Sequence, residues 1–169
     1  MKASASTGTR KTGFENNPDR QLELKFLPII ASVLGRYFFV QDDSEDLLRG
    51  SDFVVLHGEN IRCAARLRRT GNQYFNNQWL EEFSIRWSRP SGVETEIHKI
   101  NKDYVNQIFY GFVNPEETKI IQYFIGDLKL FKQLKVKPFL IKNNYDNSSE
   151  MALYKINQFP AKFILKRWP

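Results

Sequence analysis

Between Ser51 and Arg69 the chain reads SDFVVLHGENIRCAARLRR. Asp52 to Leu56 and Ile61 to Leu67 are short apolar runs joined at His57-Gly58-Glu59-Asn60, a pattern that predicts two strands linked by a turn. Side chains alternate across a strand. Arg62, Ala64, Arg66 and Arg68 therefore share one face of the second strand, and Ile61, Cys63, Ala65 and Leu67 share the other. Asp52 opens the first strand. An acid there must be paired, hydrated or bound to a cation, or it caps nearby backbone N–H groups.

Glu81 to Ser88 alternates in the same way. Phe83, Ile85 and Trp87 fall on one face, and Glu82, Ser84, Arg86 and Ser88 on the other. This is a third, half-buried strand. If the three strands pair as a meander, Arg62, Arg66, Arg68 and Arg86 form one positive face, continued by Arg69 and Arg89. Guanidinium groups bind phosphate oxygens bidentately and stay charged at any working pH. The competing reading is a solvated sheet face laced with Glu59, Glu81 and Glu82.

Met1 to Asn16 is rich in Ser, Thr, Gly and Lys with almost no apolar content, which predicts a flexible basic arm. Residues 17–169 form one domain. A helix starts there, with Asn17 as N-cap, Pro18 in the first position and Asp19 complementing the dipole. Leu22, Phe26, Ile29, Ile30, Val33 and Leu34 fall near helical spacing. Pro28 predicts a kink or break. Ser44 to Arg49 reads as a short helical turn or loop. Val93 to Asn101 reads as a helix, Gln107 to Val113 and Lys119 to Ile125 as strands, and Leu128 to Leu134 as a helix capped by Asp127. Met151 to Ile156 and Phe163 to Leu165 add short strands. The order predicts an α/β sandwich with a mixed central sheet.

The chain has 169 residues, 41% of them hydrophobic, enough for a single core. No apolar run approaches the roughly 20 residues of a membrane span, and the N-terminus lacks an apolar signal core. One cysteine, Cys63, excludes an internal disulfide and suits a reducing, cytoplasmic setting. The net charge is +6. It concentrates from Lys119 to Pro169, whereas Asp42, Asp43, Glu45 and Asp46 make an acidic spot. A basic face with a local acidic spot suits a polyanion binder that also holds a divalent cation.

Ser88-Arg89-Pro90-Ser91-Gly92 before a helix suits an anion pocket, or Ser91 acts as N-cap with Glu94 as capping-box partner. His57 and His98 lack ligand companions, so no zinc site is implied. Cys63 has no evident His partner and reads as a buried thiol. Phe109-Tyr110-Gly111-Phe112 reads as a core strand rather than a base-stacking platform. Lys162, Lys166, Arg167 and Trp168 add phosphate contacts and one stacking ring, or form a solvated tail.

From residue 18 to 113 the order and spacing resemble the PD-(D/E)XK superfamily, whose restriction-endonuclease-like fold is an α-β-β-β-α-β core with a mixed central sheet flanked by helices. The motif is short. In that family a strand acid and a second-strand acid hold Mg²⁺, and a Lys two residues later helps activate water. By position Asp52 matches the first acid, preceded by Ser51 rather than Pro, Ala64 stands at the second, and Arg66 stands at the Lys. Glu23 on the first helix matches a helix acid that some members add. The chain is also similar to uncharacterised proteins of phages and mobile elements that carry a strand acid, an A-x-R-x-R-R segment and an I-R-S-x-R-x-S-G-like stretch. Here these are Asp52, Ala64 to Arg69, and Ile85 to Gly92.

The resemblance implies a nucleic-acid-binding protein, with DNA as its polymer, and a homodimer. It further implies a Mg²⁺-dependent DNA endonuclease, a phosphodiester hydrolase, if catalysis survives Ala64. Asp52, Glu23 and Arg66 would then be catalytic, with Asp52 and Glu23 on the metal. Arg62, Arg66, Arg68, Arg69, Arg86 and Arg89 would contact phosphates. Two departures matter: Ala64 cannot bind metal, and Arg66 does not deprotonate. Glu23, Asp42, Asp43 or Glu82 would have to supply the missing ligand. The alternative is a catalytically inactive adaptor or inhibitor that binds a protein on the same scaffold.

Overall fold

The computed structural model describes residues 18–34, 38–40, 53–57, 59–70, 81–144 and 147–169. The basic arm, the 44–49 segment, Asn17, Asp42, Asp43 and Asp52 lie outside the described residues. In chain order the elements are α1 (Pro18–Leu34), β1 (Phe38–Val40), β2 (Phe53–His57), β3 (Glu59–Arg69), β4 (Glu82–Ser88), α2 (Glu96–Asn101), β5 (Gln107–Val113), β6 (Ile120–Asp127), α3 (Leu128–Leu134), β7 (Leu140–Asn143), β8 (Glu150–Lys155) and β9 (Ile164–Trp168). Single 3₁₀ turns cover Ile156–Gln158 and Ala161–Phe163.

The fold is mixed α/β with a mixed central sheet. Six strands run in the order β1-β2-β3-β5-β6-β9. β3 and β5 are parallel, and every other neighbouring pair is antiparallel. The expected three-strand meander is not formed. β4 leaves the central sheet and pairs with β8 in a second sheet of order β4-β8-β7. Composition accounts for the exchange. β5, QIFYGFV, is apolar almost throughout and tolerates burial on both faces, as a central parallel strand requires. β4 alternates, which suits a small antiparallel sheet with one face on the core.

The central sheet is covered differently on its two sides. On one, α1 lays Leu22, Phe26 and Ile30 over Cys63, Ala65, Leu67, Phe109 and Val113. On the other, the small sheet and the short helices enclose an aromatic core. Phe83 of β4 is its hub, with ring centroids 5.5–6.3 Å from those of Tyr110, Phe124, Phe131, Tyr154, Phe159 and Phe163. The flanking layers are thus α1 on one face and a sheet with helices on the other, rather than helices on both.

Three local expectations change. The first helix continues through Pro28 without a break. Pro28 is exposed, and its ring removes one backbone N–H donor from the helix. The second helix begins at Glu96 with Thr95, not Ser91, as N-cap. Ser91-Gly92 is spent on a turn: Gly92 has φ +70° and its N–H donates to the Arg89 carbonyl at 3.0 Å. Glu94 pairs with Lys102 instead of capping. Asp127 does cap α3, accepting from the Leu130 N–H at 3.0 Å. Among the described residues no helix is long and apolar enough to cross a membrane.

Candidate functional site

The arginines of β3 are not a solvent-facing row. β2 pairs with β3 only as far as Cys63, and from there β5 is the described neighbour. Arg66 follows in this half and is 8% exposed. Its Nη1 lies 3.7 Å from Glu23 Oε1 of α1, and its Nη2 contacts Glu96 Oε1 at the start of α2. Carboxylates from both layers thus converge on one guanidinium. The second Glu96 oxygen accepts from the Arg86 backbone N–H at 2.7 Å, tying β4 to the same carboxylate.

Arg68, the next residue on that face, uses hydroxyls. Its Nη2 donates to Ser84 Oγ at 2.8 Å and its Nε to Tyr110 Oη at 3.3 Å, and the two hydroxyls are 3.2 Å apart. Burial alone would lower the Arg68 pKa, but Tyr110, Asp19 and Glu23 outweigh it and hold the group above its ordinary value. Burial raises the Tyr110 hydroxyl, yet Arg68 and the Ser84 bond bring it below the usual tyrosine range.

Arg86 of β4 is placed differently. Its Nε is buried and, like that of Arg66, has no hydrogen-bond partner among the described residues. Burial, then repulsion from Arg66, Arg89 and Arg68, brings its pKa down to about 10, with Glu23 opposing. Among the described residues, three guanidinium groups, those of Arg66, Arg68 and Arg86, stand with two close carboxylates, Glu23 and Glu96, and half-buried Arg89 adds positive charge. Such a cluster attracts an anion chemically suited to bidentate donors.

The remaining arginines do other work. Arg69 donates to Glu117 at 2.5 Å, to Asp19 at 3.1 Å and to the Pro18 carbonyl at 3.2 Å, fastening the start of α1. The Glu117 bond comes first among the causes that raise its pKa. Arg62 is half-buried, and its backbone N–H and carbonyl are both bonded to Asn106. The structure therefore brings together Glu23, Arg66, Arg68, Arg86 and Arg89, and leaves Arg69 in a separate ion cluster.

Ala64 is a packing residue, buried opposite Ile108 in the aromatic core. Glu82 is exposed and sits across from Lys155, so it is no substitute ligand for β3. His98 closes the Thr95 cap, its Nδ1 3.0 Å from Thr95 Oγ1. Cys63 is fully buried as expected, its Sγ 3.6 Å from the Ala64 carbonyl. Phe109 and Tyr110 are core, also as expected.

Glu96, Ser84 and Tyr110 are the residues that sequence reasoning missed. Glu96 carries only the signal of an acid in a first helical turn. Its pairing with Arg66 depends on where β4 and α2 fold.

Among the described residues no three His, Cys, Asp or Glu side chains gather as a metal site. Glu23 faces Arg66, and both Glu96 oxygens already accept from positive or N–H donors. These described side chains do not fit Mg²⁺, because a guanidinium already occupies the space between the carboxylates. Compared with known proteins, the chain matches no family model and no curated sequence.

Proposed function

We propose that this protein binds nucleic acid through phosphate contacts at the Arg66–Arg68–Arg86–Arg89 cluster, on a nuclease-like scaffold. The observation that carries the reading is Arg86, a half-buried guanidinium whose buried Nε has no hydrogen-bond partner among the described residues and which feels the charges of Arg66, Arg89 and Arg68. A phosphate oxygen supplies both the missing acceptor and the missing negative charge.

The scaffold assignment is supported by the path of the chain. α1 precedes the β2–β3 hairpin, and α2 leads into β5, which lies parallel to β3 in the mixed central sheet, whereas β4, the third strand of the expected core, belongs to the second sheet. Asp52 immediately precedes β2, Ala64 and Arg66 lie on β3, and Glu23 lies on α1. These are the positions at which a restriction-endonuclease-like site is built, and DNA is the polymer that the resemblance implies.

A second reading, a catalytically inactive adaptor on the same scaffold, is favoured by one observation: Arg66 is locked between Glu23 and Glu96, where a catalytic Lys would need to be free. Duplex-binding titrations at several salt concentrations separate the two. The nucleic-acid reading expects affinity to fall steeply between about 50 and 200 mM salt. It also expects Arg86→Gln and Arg89→Gln each to weaken binding and to reduce the salt slope by about 1. Affinity that ignores both salt and these substitutions would sink it and leave the adaptor.

A further inference from the structure

Separated from β3 by β5 and β6, the last strand carries a second arrangement suited to nucleic acid. Phe109 of β5, Tyr123 of β6 and Trp168 of β9 form a ladder of parallel rings. Centroids are 5.0 Å apart at 22° between Phe109 and Tyr123, and 6.3 Å apart at 20° between Tyr123 and Trp168. The ladder starts in the core, where Phe109 is fully buried, and ends at Trp168, which is 50% exposed. The register pairs Tyr123 directly with Trp168. Among the described residues no further ring covers the outer side of Trp168.

β9 is an edge strand. Lys166, two residues before Trp168, donates from Nζ to the Val33 carbonyl near the end of α1 at 3.1 Å, and so holds the strand against the helix. Lys162, Lys166 and Arg167 lie within this terminal stretch, and no acid occurs from Phe159 to Pro169. A core-anchored ring costs little entropy to hold in place, and an aromatic face beside positive charge suits a base and its phosphate.

We propose that Trp168 is a stacking platform for an unpaired base, with the basic residues of the β9 segment attracting the adjoining backbone. The proposal rests on the nucleic-acid reading above and selects its substrate: single-stranded or end-frayed nucleic acid, because bases inside a duplex have both faces covered. β5 and β6 separate β9 from β3, so Trp168 and the arginine cluster can be altered independently.

The test uses the whole chain with an oligothymidylate of about 15 nucleotides and a blunt DNA duplex, against wild type, Trp168→Phe and Trp168→Leu, with melting temperatures confirming that each variant folds. Binding is read by probe anisotropy, and stacking by quenching of tryptophan emission. The expected result has three parts. Oligothymidylate quenches wild-type emission. Trp168→Phe binds it with near wild-type affinity but without that quench. Trp168→Leu binds it about tenfold more weakly, while duplex binding stays unchanged. Wild-type affinity of Trp168→Leu for oligothymidylate overturns the platform but leaves the arginine cluster standing. Failure of wild type to bind either nucleic acid overturns both.

Discussion

Arg66 and Glu96 form an ion pair whose side chains are 9% and 16% exposed, linking the central sheet to the helix that follows β4. Glu96 also receives the Arg86 N–H, and Arg66 also faces Glu23. Removing one member of a mostly buried pair leaves an uncompensated charge, which costs about 3–5 kcal/mol. Glu96→Gln is therefore expected to destabilise by about 3 kcal/mol. The double variant Arg66→Met/Glu96→Gln should cost clearly less than the two single losses added together. Urea unfolding of the four proteins checks this, and simple additivity would mean that the pair is not coupled.

Arg86 should show the opposite sign. Its folded-state pKa, about 10, lies below the ordinary arginine value, so its charged form is disfavoured by folding. That cost is fully present below about pH 10 and is relieved as pH rises from the folded value toward the ordinary arginine value, a range in which the unfolded chain holds more protons. Arg86→Met is thus expected to stabilise the protein at neutral pH by on the order of 1 kcal/mol while weakening nucleic-acid binding. The stability difference from wild type should shrink above about pH 10. Denaturation midpoints across pH read this directly, and a destabilised variant at neutral pH would contradict it.

Magnesium should leave the wild-type melting temperature unchanged, because a ligand that binds only the folded state raises stability in proportion to occupancy and the Arg66 guanidinium already takes the place a cation would need beside Glu23 and Glu96. A thermal-shift titration with Mg²⁺ and Mn²⁺, on wild type and Asp52→Ala, tests this. A metal-dependent rise that Asp52→Ala abolishes would reinstate the metal-dependent endonuclease.

Phe83 is the hub of the aromatic core and is 1% exposed. Phe83→Ala removes a ring that touches six others and is expected to cost about 3–5 kcal/mol. Phe83→Leu, which keeps most of the volume, should cost less. Calorimetric melting of both variants ranks them, and equal small effects would mean that the two layers do not depend on this contact.

Local chemistry alone determined a good deal of this protein. The alternation in Ile61 to Leu67 placed Cys63, Ala65 and Leu67 together under α1, and the apolar run of Gln107 to Val113 gave a buried strand with the bounds expected. Asp127 could be recognised as a cap because a helix N-terminus needs an acceptor three residues back. The shared face of Arg66 and Arg68 was equally legible, whereas Glu23 was singled out only by the family resemblance. Tertiary structure decided what that face meets. Periodicity states which side chains point the same way, but not which strand lies beside them or whether water remains. β5 rather than β4 takes the place next to β3, and β4 with α2 brings Ser84, Arg86 and Glu96 against the arginines. A row that reads as solvent-facing in one dimension becomes a partly buried cluster, because contacts between residues distant in the chain set burial and decide which partners each arginine meets.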